Sequence, residues 1–292
     1  MAVYNLSGNQ VNNVYDVDGE TLLSAYNING YDVLVERIDY SNNTYTQKWA
    51  SKGISSTQGF DIYDGKVFWI AKSGDSTIPS NCYVWNLADG SQALDTAYIT
   101  VYSGHGNNVA FDYPKVYFAP AYTPSRVYEN VFSDGYTAAL TKTILLPDNT
   151  SACEACLDEH NKTILLSIGH LTNTCLISKW DLSNLTDNGD DTYTPNLLYS
   201  VESPKPTNDT HLQGSRMHDG ILWYTCGYSG GSTEAYIYGV DPITGEVLYA
   251  IDCETTSEPE GIAFVEESGV YGGYVMYVGF QGMMLRRYTF NS

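Results

Sequence analysis

From Gln58 the chain reads QGFDIYDGKVFWIA: a polar residue, a small one, an apolar stretch, an Asp-Gly turn, then an aromatic and β-branched run. The same order returns from Asn108 (NVAFDYPKVYFAP), Glu154 (EACLDEHNKTILLSIG), Gln213 (QGSRMHDGILWYTCG) and Glu260 (EGIAFVEESGVYGGYVMYVGF). Short apolar runs on either side of a turn, rich in Val, Ile, Phe, Trp and Tyr, predict antiparallel strand pairs. The starts are 50, 46, 59 and 47 residues apart. A recurrence of that length marks a repeated supersecondary unit. The longest interval contains DNGDDTYT from Asp187, which is expected to be an enlarged hairpin loop.

A second hairpin recurs between the starts. YVWNLADGSQ from Tyr83 matches YIYGVDPITGEVLYAI from Tyr236, with Gly90 opposite Gly245, and LISKWDLSN from Leu176 is a third copy. Asp-Pro-Ile-Thr-Gly between alternating runs is strong hairpin chemistry. Each unit then has four strands, and four-stranded units at this period predict an all-β fold, a five-bladed β-propeller. After Glu260 the chain has room for only one further strand, MLRRYTF at 284–290. An open sheet edge is a liability. TYTQKWAS from Thr44 is therefore expected to supply the missing outer strand and pair the N- and C-terminal strands. That makes 44–292 the propeller and 1–43 a small β-rich N-terminal appendage. Two unrelated β-domains are the competing arrangement.

Composition narrows the partners. The chain of 292 residues has 14 Lys and Arg against 34 Asp and Glu, a formal charge of −20. Nucleic-acid binding through phosphates needs a basic face, so it is not expected, and neither is membrane insertion. Neutral partners such as glycans stay open. The start, MAVYNLSG, has neither a basic nor an apolar signal region, so synthesis in the cytoplasm without a Sec signal is expected. Six scattered cysteines are too few for a disulfide framework at this length and are read as reduced.

The metal signals are weak. Asp16-Val-Asp18-Gly-Glu20 is echoed by Tyr26-Asn-Ile-Asn-Gly30, where both Asp positions are Asn. Neither copy supplies the twelve-residue ligand set of a calcium loop, so turns are expected. The carboxylates of 187–191 are read as a solvated loop, with structural calcium left open. Cys153 and Cys156 have half a zinc spacing and no matching second half. No metal and no cofactor are expected.

Ser229 and Ser232 lie in a glycine-rich turn rather than a strand-to-helix elbow. Asp61, Asp112 and Asp158 fall at similar places in their units. With Glu260 they are the carboxylates a glycosidase or lyase would use if the protein is an enzyme. Turn-pinning is the other reading.

The unit starters Gln58, Asn108, Glu154, Gln213 and Glu260 are expected near the axis, with His105, His211, Arg216 and His218 around them. Their amides and carboxylates either bond sugar hydroxyls or bond one another and channel water. Tyr63, Tyr113, Tyr122, Tyr228 and Trp223 are candidates to stack on a pyranose ring.

Starts such as Gln58-Gly-Phe-Asp-Ile and Glu260-Gly-Ile-Ala-Phe, with the repeat number, resemble the five-bladed propellers in receptor-binding proteins of phages of Gram-positive bacteria. Helveticin-type bacteriocins are similar. The opening MAVYNLSG with the Tyr15–Gly19 echo resembles short N-terminal modules of tail or fibre proteins of gut phages.

The resemblance implies a virion protein that recognises host surface carbohydrate such as teichoic acid without cleaving it. It implies homo-oligomers and attachment to other virion proteins through residues 1–43. Gln58, His105, Asn108, Glu154, Gln213, Arg216, His218 and Glu260 would be its ligand-binding set. A carbohydrate-active enzyme and a purely structural virion component are the alternatives.

Overall fold

Aromatic and β-branched residues dominate the runs on both sides of each turn, and these runs form the strands. The computed structural model describes residues 3–4, 10–11, 24–26, 32–34, 38–54, 56–71, 79–120, 125–133, 138–147, 153–171, 174–204, 211–227 and 234–291. Near the N-terminus β1 (Val3–Tyr4) pairs β2 (Gln10–Val11), and β3 (Ser24–Tyr26) pairs β4 (Asp32–Leu34). The rest of the Asp16–Glu20 and Asn27–Gly30 echo lies outside the described residues, as do Tyr122, Tyr228, Ser229 and Ser232.

After β5 (Asn43–Trp49), a four-stranded antiparallel sheet is formed by β6 (Thr57–Tyr63), β7 (Lys66–Ala71), β8 (Ser80–Asn86) and β9 (Ile99–Val101). Next come β10 (Asn108–Asp112), β11 (Lys115–Ala119), β12 (Arg126–Phe132) and β13 (Ala138–Leu145), then β14 (Cys153–Leu157), β15 (Ile164–His170), β16 (Thr174–Gly189) and β17 (Thr192–Pro204). These two antiparallel halves form one eight-stranded sheet, because the tip of the long β16–β17 ribbon pairs in parallel with β13, Thr143 opposite Thr192. The third sheet is β18 (Leu212–His218), β19 (Ile221–Cys226), β20 (Tyr236–Val240) and β21 (Val247–Asp252). The last is β22 (Pro259–Glu266), β23 (Tyr274–Phe280) and β24 (Met284–Phe290), completed by β5. Residues 285–290 of β24 pair with 43–49, from Leu285 opposite Trp49 to Phe290 opposite Asn43, so the two ends of this region share a sheet.

The first strands touch in the order β6, β10, β14, β18, β22 and back to β6, which sets the sheets about one axis. Burial follows from that arrangement. β6 and β7 are buried on both faces, whereas the outer β21 and β5 alternate with solvent. A strand between two neighbouring sheets needs apolar residues on both faces, and an outermost strand needs them on one. Apolar clusters accordingly fill the wedge between consecutive sheets. Phe68, Phe111 and Phe118 fill one, and Leu166, Ile177 and Tyr224 another. Trp49, Phe60, Trp69 and Tyr277 close the last sheet onto the first.

Two expectations about hairpins are decided here. In the matched hairpins, the Gly90 amide donates to Asn86 and the Gly245 amide to Asp241, with φ of +69° and +74°. The turns are equivalent. Residues 187–191, expected as a loop, instead continue the strands: Thr186 pairs Thr194 and Asp187 pairs Tyr193. Thr186 on one arm and Thr192, Tyr193 and Thr194 on the other favour the ladder, and Gly189, Asp190 and Asp191 make the tight tip with positive φ. Asp187 accepts the Gly189 amide at 2.8 Å, so it caps its own turn.

Tyr40 ties the chain before β5 to the body. Its ring is 1 % exposed and packs edge-on against Trp223, Tyr249, Phe264 and Phe290.

Candidate functional site

The repeated motif places its residues in layers along the axis. The starter layer is interior: Gln58, Asn108, Glu154, Gln213 and Glu260 are 0–6 % exposed. At this burial a saccharide ring has no access to them. The starters, expected as direct sugar contacts, are interior groups, and Gln58, Asn108, Glu154 and Gln213 are held by neighbouring residues. The Asn107 amide donates to Glu154 Oε1 at 3.0 Å, Gln213 to Glu258 Oε1 at 2.6 Å and Gln58 to the Thr57 carbonyl at 2.7 Å. Asn108 reaches across the axis, donating to the Ala155 carbonyl and to Ser215 O and Oγ at 3.0 and 3.1 Å. Burial holds the Glu154 carboxyl well above its ordinary value, against the opposing Asn107 hydrogen bond. His105 lies in the β9–β10 loop, half-buried, and His211 immediately precedes β18, exposed.

One position further on, Gly59, Gly214 and Gly261 let the first strands close together. A Cβ on Gly214 would lie 2.5 Å from Gly261 Cα, and one on Gly59 would lie 2.4 Å from the Asn107 carbonyl oxygen. Only hydrogen fits between these backbones.

Three positions beyond the starters stand Asp61 and Arg216, on strands β6 and β18. Arg216 Nη1 donates to Asp61 Oδ2 at 2.7 Å across the axis. Asp61 also accepts the Ile62 and Phe111 amides, at 2.7 and 3.2 Å. Burial nevertheless pushes its carboxyl above the ordinary range, against the pull of Arg216 and the amides.

Asp112 and Asp158 do not share this register. Counted from their starters they come one residue later than Asp61, and one residue along a strand reverses the face. Asp112 pairs with Lys115 at the β10–β11 turn, and Asp158 accepts the His160 and Asn161 amides in the β14–β15 turn. The expected trio is therefore one axial carboxylate and two turn carboxylates, with Glu260 in the starter layer at the other end of the strands.

Sequence reasoning missed Lys162 and Glu159 at the turn end. Lys162 Nζ donates to the Asp158 carbonyl at 3.0 Å. Burial, then the nearby Arg216 charge, lower its pKa. Their signal was their place in a turn that the repeat aims at the axis.

His218 belongs to this end and not beside Gln213, five residues earlier on the same strand. Its ring stacks on Phe264 at 4.0 Å, meets Tyr274 edge-on and lies 3.6 Å from Glu159 Oε2. Burial raises the Glu159 carboxyl, but hydrogen bonds from His218 and the Gly220 amide bring it down to about 2. A carboxylate whose folded pKa is depressed adds stability above its unfolded value and loses it as pH falls towards the folded one. Glu159→Gln is therefore expected to cost up to about 3 kcal/mol at neutral pH and to flatten the loss of stability between about pH 4.5 and 2. Urea melts across that range check it.

Tyr63 and Tyr113 rim the same end. They are 38 % and 43 % exposed and stack nearly parallel, with centroids 5.5 Å apart and planes at 11°. Tyr63 also stacks on Phe111 at 5.3 Å. Tyr63 is two residues beyond Asp61 on β6, on the same face and about 7 Å further along. Trp223, by contrast, is fully buried against Tyr249 and Tyr40, so it is a core residue and not a stacking surface. Among the described residues no three His, Cys, Asp or Glu side chains cluster. Cys156 is a buried free thiol, which burial pushes up to about 12.

No family model and no curated protein matches the chain. Solved structures do resemble it in fold. The tail fibre of Staphylococcus aureus phage P68 matches with a TM-score of 0.50 at 13 % identity, over 85 % of this chain and 52 % of that one. This chain thus spans about half the length of that fibre. The WD40 domain of Toxoplasma gondii coronin matches with a TM-score of 0.41 at 11 % identity, over 88 % and 87 % of the two chains. The periplasmic gluconolactonase of Pseudomonas aeruginosa matches with a TM-score of 0.41 at 10 % identity, over 80 % of each. The protein is all-β with β-propeller neighbours.

Proposed function

We propose that the chain is a phage virion protein that holds a host-surface glycan without cleaving it. On this reading residues 44–292 form a five-bladed propeller, the eight-stranded sheet being two blades joined at the tip of the β16–β17 ribbon. Residues 1–43 are its handle to other virion proteins, in a homo-oligomeric particle component. The sequence resemblance and the tail-fibre likeness in fold supply that setting.

The observation that carries glycan binding is the exposed Tyr63–Tyr113 stack beside the axial Asp61–Arg216 pair. The C–H face of a pyranose is apolar and weakly positive, and a tyrosine π face is negative. Two parallel, part-exposed rings therefore form a platform for a sugar chain, with charged and amide groups near the axis to bond its hydroxyls. Asp61 is fully engaged by Arg216 and two amides, which suits positioning better than proton transfer. Arg216 and Lys162 are the polar contacts assigned to this end; His218, 7 % exposed and packed on Phe264, is an interior group like the starters. Tyr40 stands at the same end, next to His218, in the wedge between the third and last sheets. The Tyr63–Tyr113 platform lies elsewhere, beside Phe111 between the first two sets of strands. Several copies on one particle would turn weak single sites into firm adhesion.

The test is binding of the fluorescent full chain to cell-wall polysaccharide and to whole Gram-positive cells. Tyr63→Ala with Tyr113→Ala is expected to weaken binding at least about tenfold with the melting curve little changed, a loss matching two aromatic contacts of about 1 kcal/mol each. No new reducing ends should appear. Unchanged binding in the double variant, or polysaccharide cleavage that Asp61→Asn abolishes, would overturn the reading.

A further inference from the structure

The starter layer contains more hydrogen-bond acceptors than its own donors can satisfy. Gln58 Oε1, Asn107 Oδ1, Asn108 Oδ1, Glu154 Oε2 and Gln213 Oε1 are buried and have no hydrogen-bond partner among the described protein groups. The amide nitrogens of the same side chains are already committed: Gln58 to Thr57, Asn107 to Glu154, Asn108 to Ala155 and Ser215, and Gln213 to Glu258. Reversing an amide does not cure the excess, since it would turn an oxygen towards the oxygen that now accepts. Buried polar atoms in folded proteins are nearly always satisfied, so a group of buried oxygens without a protein donor calls for a donor or a positive charge from outside the chain.

Glu154 sharpens the point. It is 1 % exposed, with Asn107 at one oxygen, and no Lys, Arg or His lies within 4.0 Å of it among the described ion pairs. The Asn107–Glu154 hydrogen bond, at 3.0 Å, holds the end groups of these two side chains next to each other. Asn108, the first residue of β10, follows Asn107 directly, and its Oδ1 lies 3.3 Å from where a Gly214 Cβ would stand, which brings β18 close to it.

We propose that this end of the axis binds a hard divalent cation, calcium above magnesium, on Asn107, Asn108 and Glu154, with Gln58 and Gln213 joining directly or through water. Calcium takes six to eight oxygens at about 2.3–2.6 Å in loose geometry, whereas magnesium demands a tight octahedron near 2.1 Å. Strand starts pinned by glycine contacts do not contract to the smaller shell. The ion would neutralise the buried carboxylate and tie first strands from separate sheets to one centre. The proposal is independent of the glycan reading, which concerns the other end of the strands.

The test uses the full chain after chelation, titrated with calcium chloride or magnesium chloride by calorimetry and by thermal melting. One calcium per chain is expected, with a melting temperature raised by about 5 °C or more at saturation and a smaller magnesium effect. Glu154→Gln should weaken calcium binding at least about tenfold, as loss of the only anionic ligand would. Without calcium it should melt no lower than the parent, because it removes a buried charge. The joint change of Asp187, Asp190 and Asp191 to Asn should leave the response intact. Absence of any calcium response in the parent chain would overturn the proposal whether or not the variant folds. So would a response that survives Glu154→Gln but disappears with the change at 187–191.

Discussion

Arg216→Ala is expected to destabilise the protein by about 3–5 kcal/mol, the cost of leaving one member of a buried ion pair alone. Asp61 is 1 % exposed, so its carboxylate cannot recover the lost contact from bulk water. Two backbone amides would remain as its partners. For a chain of this size the melting temperature should fall by about 6 °C or more.

The pH dependence follows from the direction of the shift. Burial already holds Asp61 above its ordinary value, and removing the guanidinium raises it further. A carboxyl with a raised folded pKa favours the folded state when protonated. The loss should therefore be greatest at neutral pH and shrink as the medium is acidified. Asp61→Asn in the Arg216→Ala background should recover most of it. Chemical denaturation of the three variants measures this. A loss under about 1 kcal/mol at pH 7 would mean that the pair is solvated and does not brace the axis.

Gly214→Ala is the second large effect, expected to cost about 3 kcal/mol or more because the added methyl meets backbone on the facing strand. The Cβ would stand 2.5 Å from Gly261 Cα and 3.3 Å from both Asn108 Oδ1 and the Glu260 carbonyl. No flexible side chain can move aside, so the strands themselves must part. Gly65→Ala is the matched control. Gly65 has φ of +68° and open space around it, so alanine there should cost only about 1 kcal/mol of backbone strain. Equal losses at the two positions would show that close approach at the axis is not what Gly214 provides. Thermal melts of both variants decide it.

The Gly214 contact also shows how far the sequence can be read. A Gly after Gln58, Gln213 and Glu260 was visible as a repeated pair, and so were the period, the hairpins and the shortage of one strand at the C-terminus. Each is local: turn residues fix where the chain reverses, and alternation fixes which runs become strands. Pairing of β24 with β5 followed from counting, since an unpaired edge had a matching strand elsewhere in the chain.

What the polar residues of the repeat do was not legible in the same way. Gln58 and Asp61 are both polar residues on one strand, and no local rule separates a starter buried without a sugar contact from a carboxylate that salt-bridges across the axis. Asp112 and Asp158 looked equivalent to Asp61, and a one-residue offset turned them to the hairpin ends. His218 shares a strand with Gln213 but stands five residues further along, where Phe264 and Glu159 meet it. The tip of the β16–β17 ribbon, from Asp187, looked like an enlarged loop because its acidic residues hid the ladder on either side.

Backbone preference and apolar patterning are properties of neighbouring residues, so this sequence by itself determined strands, turns and an all-β chain that repeats. Which side chains face one another is a property of strands more than a hundred residues apart, such as β6 and β18. Only the tertiary structure decided that Arg216 meets Asp61, that the starter oxygens are buried together, and that Tyr63 and Tyr113 stand in the open. The physical reason is that burial and electrostatic partnership depend on the distances between sheets, and no local stretch of sequence encodes those distances.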